Sequence, residues 1–298
     1  MLLKFYKIII ILILGLSSQI SIAQPYGSNQ LSNDVTPAPL DLRIGAYGDI
    51  QIWRDGSTSG QLYHPSGSVN ASGTWYMYNG IFMNVGSDTY VSYSYAIDGY
   101  TDYFTGGVSD ITGSGTSADP WRIEVDLENN SSSQYGFNVA YIYINGTEYF
   151  DIELTPFVPN SNTEIIKVYH LVDSYLSASD DGPAYTSGTD PYDVVGVLAA
   201  DMTVFEAFVV TEDPWDRYSS HYYDYVLNEP YYDQQLSNIL DPDEDTDNAF
   251  GVQWTLGVVK GTQPTIRYRV GFTDDIGSII GCQQSYINKN RGRTIKSN

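Results

Sequence analysis

Residues 163–182 read TEIIKVYHLVDSYLSASDDG, and the order of residue types within them decides the fold. Their first half, 165–172, is dense in β-branched and aromatic side chains, and it gives way abruptly to Asp, Ser and Gly. A continuous apolar run of this length predicts a strand buried on both faces, and the polar stretch after it predicts a loop at the rim of a sheet. The expectation is a core strand with a site at its end.

Strand signals extend on both sides. In 121–127, Trp121, Ile123, Val125 and Leu127 alternate with Arg122, Glu124 and Asp126, the period of a half-buried strand. YIYI, then Asn145-Gly146, then TEYFDIEL has the form of a tight hairpin, with Pro156 and Pro159 expected to end its return arm. WYMY followed by Asn79-Gly80 and IFMN reads the same way, and 42–53 reads as a strand ending at Asp55-Gly56. Val91, Tyr93, Tyr95 and Ile97 alternate with small residues, while 194–200 and 202–210 are apolar enough to be buried strands. Val252, Trp254, Leu256 and Val258, then Ile266, Tyr268, Val270 and Phe272, predict a closing hairpin across Lys260-Gly261. Between them, 213–240 loses the alternation, and 216–227 and 231–240 are expected to be short helices on the outside. About a dozen strands with tight turns predict an all-β protein, a large two-sheet antiparallel β-sandwich with a short helical excursion.

Three features place the chain. Residues 1–23 carry Lys4 and Lys7, a short apolar run and a small-residue end at Ala23, the pattern of a secretory signal peptide; the run is too short to span a bilayer. A secreted, periplasmic or cell-surface protein follows, with 24–39 a leader segment, 40–273 a single β-sandwich domain and 274–298 a polar basic tail. The single Cys282 forbids an internal disulfide, so the core or bound ions must supply stability. Loss of the two signal lysines takes the formal charge from −22 to −24, which sets aside nucleic acid and anionic membranes as partners. Lys289, Arg291, Arg293 and Lys296 concentrate positive charge in the tail.

DLRIGAYGDIQIW, VYHLVDSYLSASDDG, the aromatic excursion and DNAFGVQWTLGVVKGTQPTIRYRVGF occur in an order that resembles the large "supersandwich" modules of secreted bacterial proteins, the architecture of galactose-mutarotase-like domains. The Ala23-Gln24 junction and the Tyr/Asn/Asp-rich composition are similar to those of exported Bacteroidetes proteins. The resemblance implies a large sandwich associated with carbohydrate. It brings no catalytic signature, since mutarotase-like enzymes use histidines and a carboxylate around the sugar ring, and His64, His170 and His221 do not align with that set.

Three groups of residues carry candidate chemistry. Asp241, Asp243, Asp245 and Asp247 alternate through DPDEDTDN and could wrap a structural Ca²⁺, although the EF-hand pattern fails, with Asn248 where Gly belongs and Trp254 where Glu belongs. The alternative is a solvated acidic loop. Asp173, Asp180 and Asp181 lie after the organising strand and are candidates for paired-carboxylate catalysis on a glycosidic bond, against a structural loop. Trp215, Tyr222, Tyr223, Tyr231 and Tyr232 are candidate ligand-binding aromatics, because flat rings with a polar tip suit sugar faces and protein surfaces alike. The expected function is a non-enzymatic protein binding carbohydrate or a surface protein. A carbohydrate-active enzyme on the same fold and a structural envelope or matrix component are the alternatives.

Overall fold

The computed structural model describes residues 29–31, 40–45, 48, 50–54, 79–91, 102–131, 134–176, 179–201, 204–243 and 245–273. The predicted signal peptide, the WYMY segment, most of the strand through Val91 and Ile97, His64 and the basic tail with Cys282 lie outside them. The chain runs β1 (Asn29–Leu31), β2 (Leu40–Ile44), β3 (Ile50–Arg54), β4 (Asn79–Val85), β5 (Asp88–Tyr90), β6 (Phe104–Val108), β7 (Trp121–Asn129), β8 (Gly136–Tyr143) and β9 (Tyr149–Val158). It continues through β10 (Ile165–Asp173), β11 (Ala184–Ser187), β12 (Val194–Leu198), β13 (Phe205–Val210), β14 (Arg217–Tyr222), α1 (Tyr223–Tyr232), β15 (Asn248–Val258), β16 (Gly261–Thr262) and β17 (Ile266–Thr273).

Two large antiparallel sheets face each other. One has the order β14-β15-β10-β4-β5; the other has β11-β12-β13-β17-β9-β8-β7-β6, with β16 beside β9. A third, small sheet of β1, β2 and β3 closes onto the same core: Leu40, Leu42, Ile44, Ile50 and Ile52 are fully buried in it. Two tyrosines of β8 tie this sheet down, since Tyr143 Oη accepts from the Leu40 amide (2.9 Å) and Tyr141 Oη donates to the Gly48 carbonyl (2.8 Å). The all-β two-sheet sandwich expected from the sequence is thus the fold.

β10 shows why its sequence lacks alternation. Val168, His170 and Val172 face the opposing sheet, where the His170 ring lies 4.5 Å from that of Phe208, while Tyr169 and Leu171 lie under Val226 and Leu227 of α1. Both faces are covered, so both must be apolar. The larger sheet is open on one face along its middle, where β9 alternates buried and half-buried residues along its whole length and the first five residues of β17 do the same; toward β12 and β13 the outer face is covered too, with Val194, Ala207 and Val209 buried beside Tyr185. On the open face, Arg122, Glu153 and Arg267 form a ladder across β7, β9 and β17 at 3.0 and 3.1 Å. The Asn145-Gly146 turn forms as expected, with Gly146 at φ +80°, a left-handed conformation that other residues rarely adopt.

Several expectations are corrected. The 42–53 run is two strands, β2 and β3, not one. Asn79-Gly80 is not a turn; both residues are buried inside β4, whose turn comes at Gly86-Ser87. β9 runs through Pro156 to Val158. The 216–227 segment begins as β14 rather than a helix, and 231–240 is irregular after α1 ends at Tyr232. β15 and β17 are not a hairpin: β15 pairs with β10 and β14, β17 with β13 and β9, so the connection crosses from one sheet to the other. The leader contributes β1, paired with β2 from Asn29 opposite Ile44.

Candidate functional site

The first site lies where β10 ends. The loop after it is stitched to the start of β15 by the backbone: Asn248 donates to the Asp180 carbonyl (3.1 Å), Gly182 to Thr246 (3.0 Å), and Asp181 bridges Asp247. Side chains reinforce the seam, with Ser174 Oγ donating to the Asn248 carbonyl and Asn248 Nδ2 to the Gly182 carbonyl, both at 2.8 Å. The sequence therefore brings Asp173, Asp180 and Asp181 to one pole of the sandwich, and Asp247 joins them from the separate acidic loop. Their charges work against one another. Burial, then Asp247 and Asp180, push the Asp173 carboxyl well up; burial and Asp181 raise Asp180; burial, then Asp180 and Asp181, bring Asp247 to about 6.

Glu206 completes this pole and was not among the predicted site residues. It shares the inward face of β13 with Phe208, is 0% exposed, and has no hydrogen-bond partner on either carboxylate oxygen among the described residues. Burial and then the neighbouring Asp173 push its carboxyl well above the usual range. The available signal was one acid inside the apolar run VFEAFVV.

The acidic loop itself behaves otherwise. Asp241 Oδ1 accepts from the Asp243 amide, Asp243 Oδ1 from the Asp245 amide, and Asp241 Oδ2 from Thr246 Oγ1, each at 3.0 Å. Alternate carboxylates here fold the loop onto its own backbone, the Asx geometry of successive turns. Among the described residues, no group of three or more His, Cys, Asp or Glu side chains is arranged to hold a metal ion.

Near the same pole, a chain of neutral polar groups crosses the core. Tyr268 Oη donates to His170 Nδ1 (2.7 Å), and His170 Nε2 is bonded to Asn79 Oδ1 (2.5 Å). Burial alone lowers the His170 pKa to about 3, and burial first among causes keeps the Tyr268 phenol protonated. His170 is a core histidine with both ring nitrogens hydrogen-bonded.

The second site is the outer face of α1. Its underside is held firmly: Val226 and Leu227 pack against Phe82, Tyr169, Leu171 and Leu236, and Asn84 Nδ2 donates to the Pro230 carbonyl (2.8 Å). The buried Glu229 accepts from Ser219 Oγ (2.7 Å) and the Ser237 amide (3.3 Å), with His221 Nε2 at 3.4 Å. Opposite this anchor, Tyr222, Tyr225 and Tyr232 are 41%, 64% and 73% exposed. Tyr225 and Tyr232, seven residues apart, share one stripe of α1, and Tyr222 at the end of β14 brings its ring to 5.7 Å from that of Tyr225. Tyr231, 49% exposed, meets the edge of Tyr232 at 5.1 Å, and Tyr223 is half-buried against Tyr222. Trp215 lies elsewhere, buried against Trp254, because its indole fills the core beside β15. It is not part of the exposed aromatic face.

No protein-family profile matches the sequence, and no curated protein matches it significantly. In shape, the chain is similar to a bacterial glucoamylase complexed with acarbose, at TM-score 0.58 and 10% identity, over 91% of this chain and 35% of that one. A chain described as a kojibiose phosphorylase from the human microbiome aligns over 90% of this chain and 29% of its own at 8% identity, with a TM-score of 0.38 too low to argue from. The chain spans about a third of the length of the glucoamylase, and what the two share is the fold, the large two-sheet sandwich that the sequence resembles.

Proposed function

We propose that this chain is a secreted, non-enzymatic β-sandwich protein that binds carbohydrate through the outer face of α1. The observation that carries the reading is the exposed face made by Tyr225 and Tyr232 of α1 with Tyr222 at the end of β14, on a helix held by apolar packing and by Glu229. Such rings offer flat apolar faces to the C–H faces of a sugar and hydroxyls to its rim, and a fixed helix loses little entropy when they do so. The likeness in fold to a glucoamylase complexed with acarbose supports the ligand class. The net charge selects within it, because a strongly acidic surface repels sulfated and uronic glycans and leaves neutral polysaccharides as ligands.

Affinity electrophoresis through neutral polysaccharides, followed by a glycan array, tests this. Retardation should occur with at least one neutral glycan and disappear in Tyr225→Ala/Tyr232→Ala at an unchanged unfolding midpoint. No retardation on any neutral glycan, or retardation indifferent to the double substitution, would refute it; capture of a surface protein by the same tyrosines would redirect it.

A second reading is favoured by Asp247, whose carboxyl sits at about 6 beside Asp180 and Asp181. An acid in that range can exchange protons near neutral pH, as a carbohydrate-active enzyme requires. Reducing ends released from a polysaccharide panel, and lost in Asp181→Asn, would establish it in place of simple binding.

A further inference from the structure

We propose that Glu206 and Asp173 form the floor of a site for a hard divalent cation of the Ca²⁺ type at the acidic pole of the sandwich, distinct from the alternating Asp241, Asp243 and Asp245. Glu206 is the observation that an acidic cluster alone would not supply. It is wholly enclosed on the inward face of β13, and neither carboxylate oxygen has a hydrogen-bond donor among the described residues. A proton does not resolve this, because the resulting O–H would need an acceptor and the second oxygen a donor. A cation satisfies both oxygens at once.

The surroundings agree with a cation. Asp173 is the charged group that bears on Glu206, and Asp247 and Asp180 bear in turn on Asp173, so negative charge accumulates inward from the surface. The loops carrying Asp180 and Asp247 are held in place by the Asn248–Asp180 and Gly182–Thr246 backbone bonds rather than by positive side chains. No arginine or lysine among the described residues forms an ion pair with Asp173, Asp180, Asp247 or Glu206; the arginine pairs lie on the outer face of the larger sheet, and His221 meets Glu229 under α1. The site is one of two carboxylates, completed by backbone oxygen and water, which suits an ion that accepts six to eight oxygens in irregular geometry. The alternating aspartates, by contrast, spend oxygens on their own backbone.

Thermal unfolding of the full chain in EDTA and then in calcium tests the assignment. The midpoint should rise by roughly 5 °C at a hundredfold excess over the dissociation constant. The rise should persist in Asp243→Asn and vanish in Glu206→Gln, an isosteric change that removes the enclosed charge and leaves the EDTA midpoint no lower than wild type. If Glu206→Gln fails to fold, tyrosine-sensitised terbium luminescence, displaced by calcium, should be present in wild type and lost in Asp173→Asn. A midpoint indifferent to calcium would overturn the proposal. So would a shift that survives Glu206→Gln or Asp173→Asn and disappears in Asp243→Asn, which would place the ion in the loop.

Discussion

His170 should make the protein acid-sensitive well above the range where carboxylates titrate. Its ring is enclosed between the sheets, bonded to Tyr268 of β17 and Asn79 of β4 and packed on Phe208 of β13; no charged group contributes to its shift, which comes from burial alone. In the unfolded chain the ring takes up a proton near 6.5, whereas in the folded chain it does so only near 3. The unfolded state therefore binds the extra proton throughout that window. The contribution of neutral His170 is fully present above 6.5, falls as pH drops below it, and is gone by about 3. Linkage gives a loss of about 2 kcal/mol at pH 5 and about 5 kcal/mol below pH 3, a large fraction of a typical folding free energy of about 5–15 kcal/mol. The assay is urea unfolding of wild type and His170→Gln at pH 7 and pH 5. Other titrating groups are common to both proteins, so wild type should lose about 2 kcal/mol more than the variant. Equal losses would refute the reasoning, as would an NMR titration in which the His170 ring protonates near 6.5.

Three further outcomes follow from the packing. Glu229→Ala should cost roughly 1–3 kcal/mol in urea unfolding, since it removes the buried acceptor of the Ser219 hydroxyl and leaves the Ser237 amide only Ser219 Oγ; a cost under about 0.5 kcal/mol would mean that the helix is anchored by its apolar face alone. Gly196→Ala should destabilise by roughly 3 kcal/mol or more, because the added Cβ would lie 2.0 Å from the Glu206 carbonyl and 2.5 Å from Ala207 Cα, while Gly107→Ala, with open space around it, should change the midpoint little. Burial raises the Glu153 carboxyl, but hydrogen bonds from Arg122 and Arg267 overcome this and hold it below its usual value, so its contribution is present above about 4.5 and lost as pH falls. Glu153→Gln should cost about 1 kcal/mol or less at neutral pH, with the difference shrinking in 1 M salt.

Much of the fold was legible because one-sided strands declare themselves. β7 and β9 face water on one side, and their alternation survives in the sequence. β10 was legible for the opposite reason, a run too apolar to be anything but enclosed. β14 was hidden because, beside Tyr218, its buried residues are Ser219, Ser220 and His221, which bond to Glu229, Gly196 and Asn248 instead of packing as hydrocarbon. Strand partners were hidden as well. Period two identifies a strand and its inward face, but nothing in β15 or β17 states which sheet receives it, and proximity in sequence misled. At the acidic pole, Asp173, Asp180 and Asp181 could be picked out by their closeness to one another. Asp247 could be joined to them only by the loop stitching, and Glu206 only by the packing of β13 against β10.

The crossing between β15 and β17 has a consequence for how the protein is made. β15 lies between β14 and β10, and β17 lies between β13 and β9, so each large sheet is joined through one of the last strands of the sandwich to be made. Before β17 exists, the larger sheet is two unconnected ribbons, β11-β12-β13 and β9-β8-β7-β6; before β15 exists, β14 has no neighbour. A chain emerging amino end first cannot complete either sheet until β15 and β17 have been synthesised. Assembly of the sandwich thus waits for its two bridging strands, is slow because its pairings join distant segments, and leaves the earlier strands open until β15 and β17 arrive.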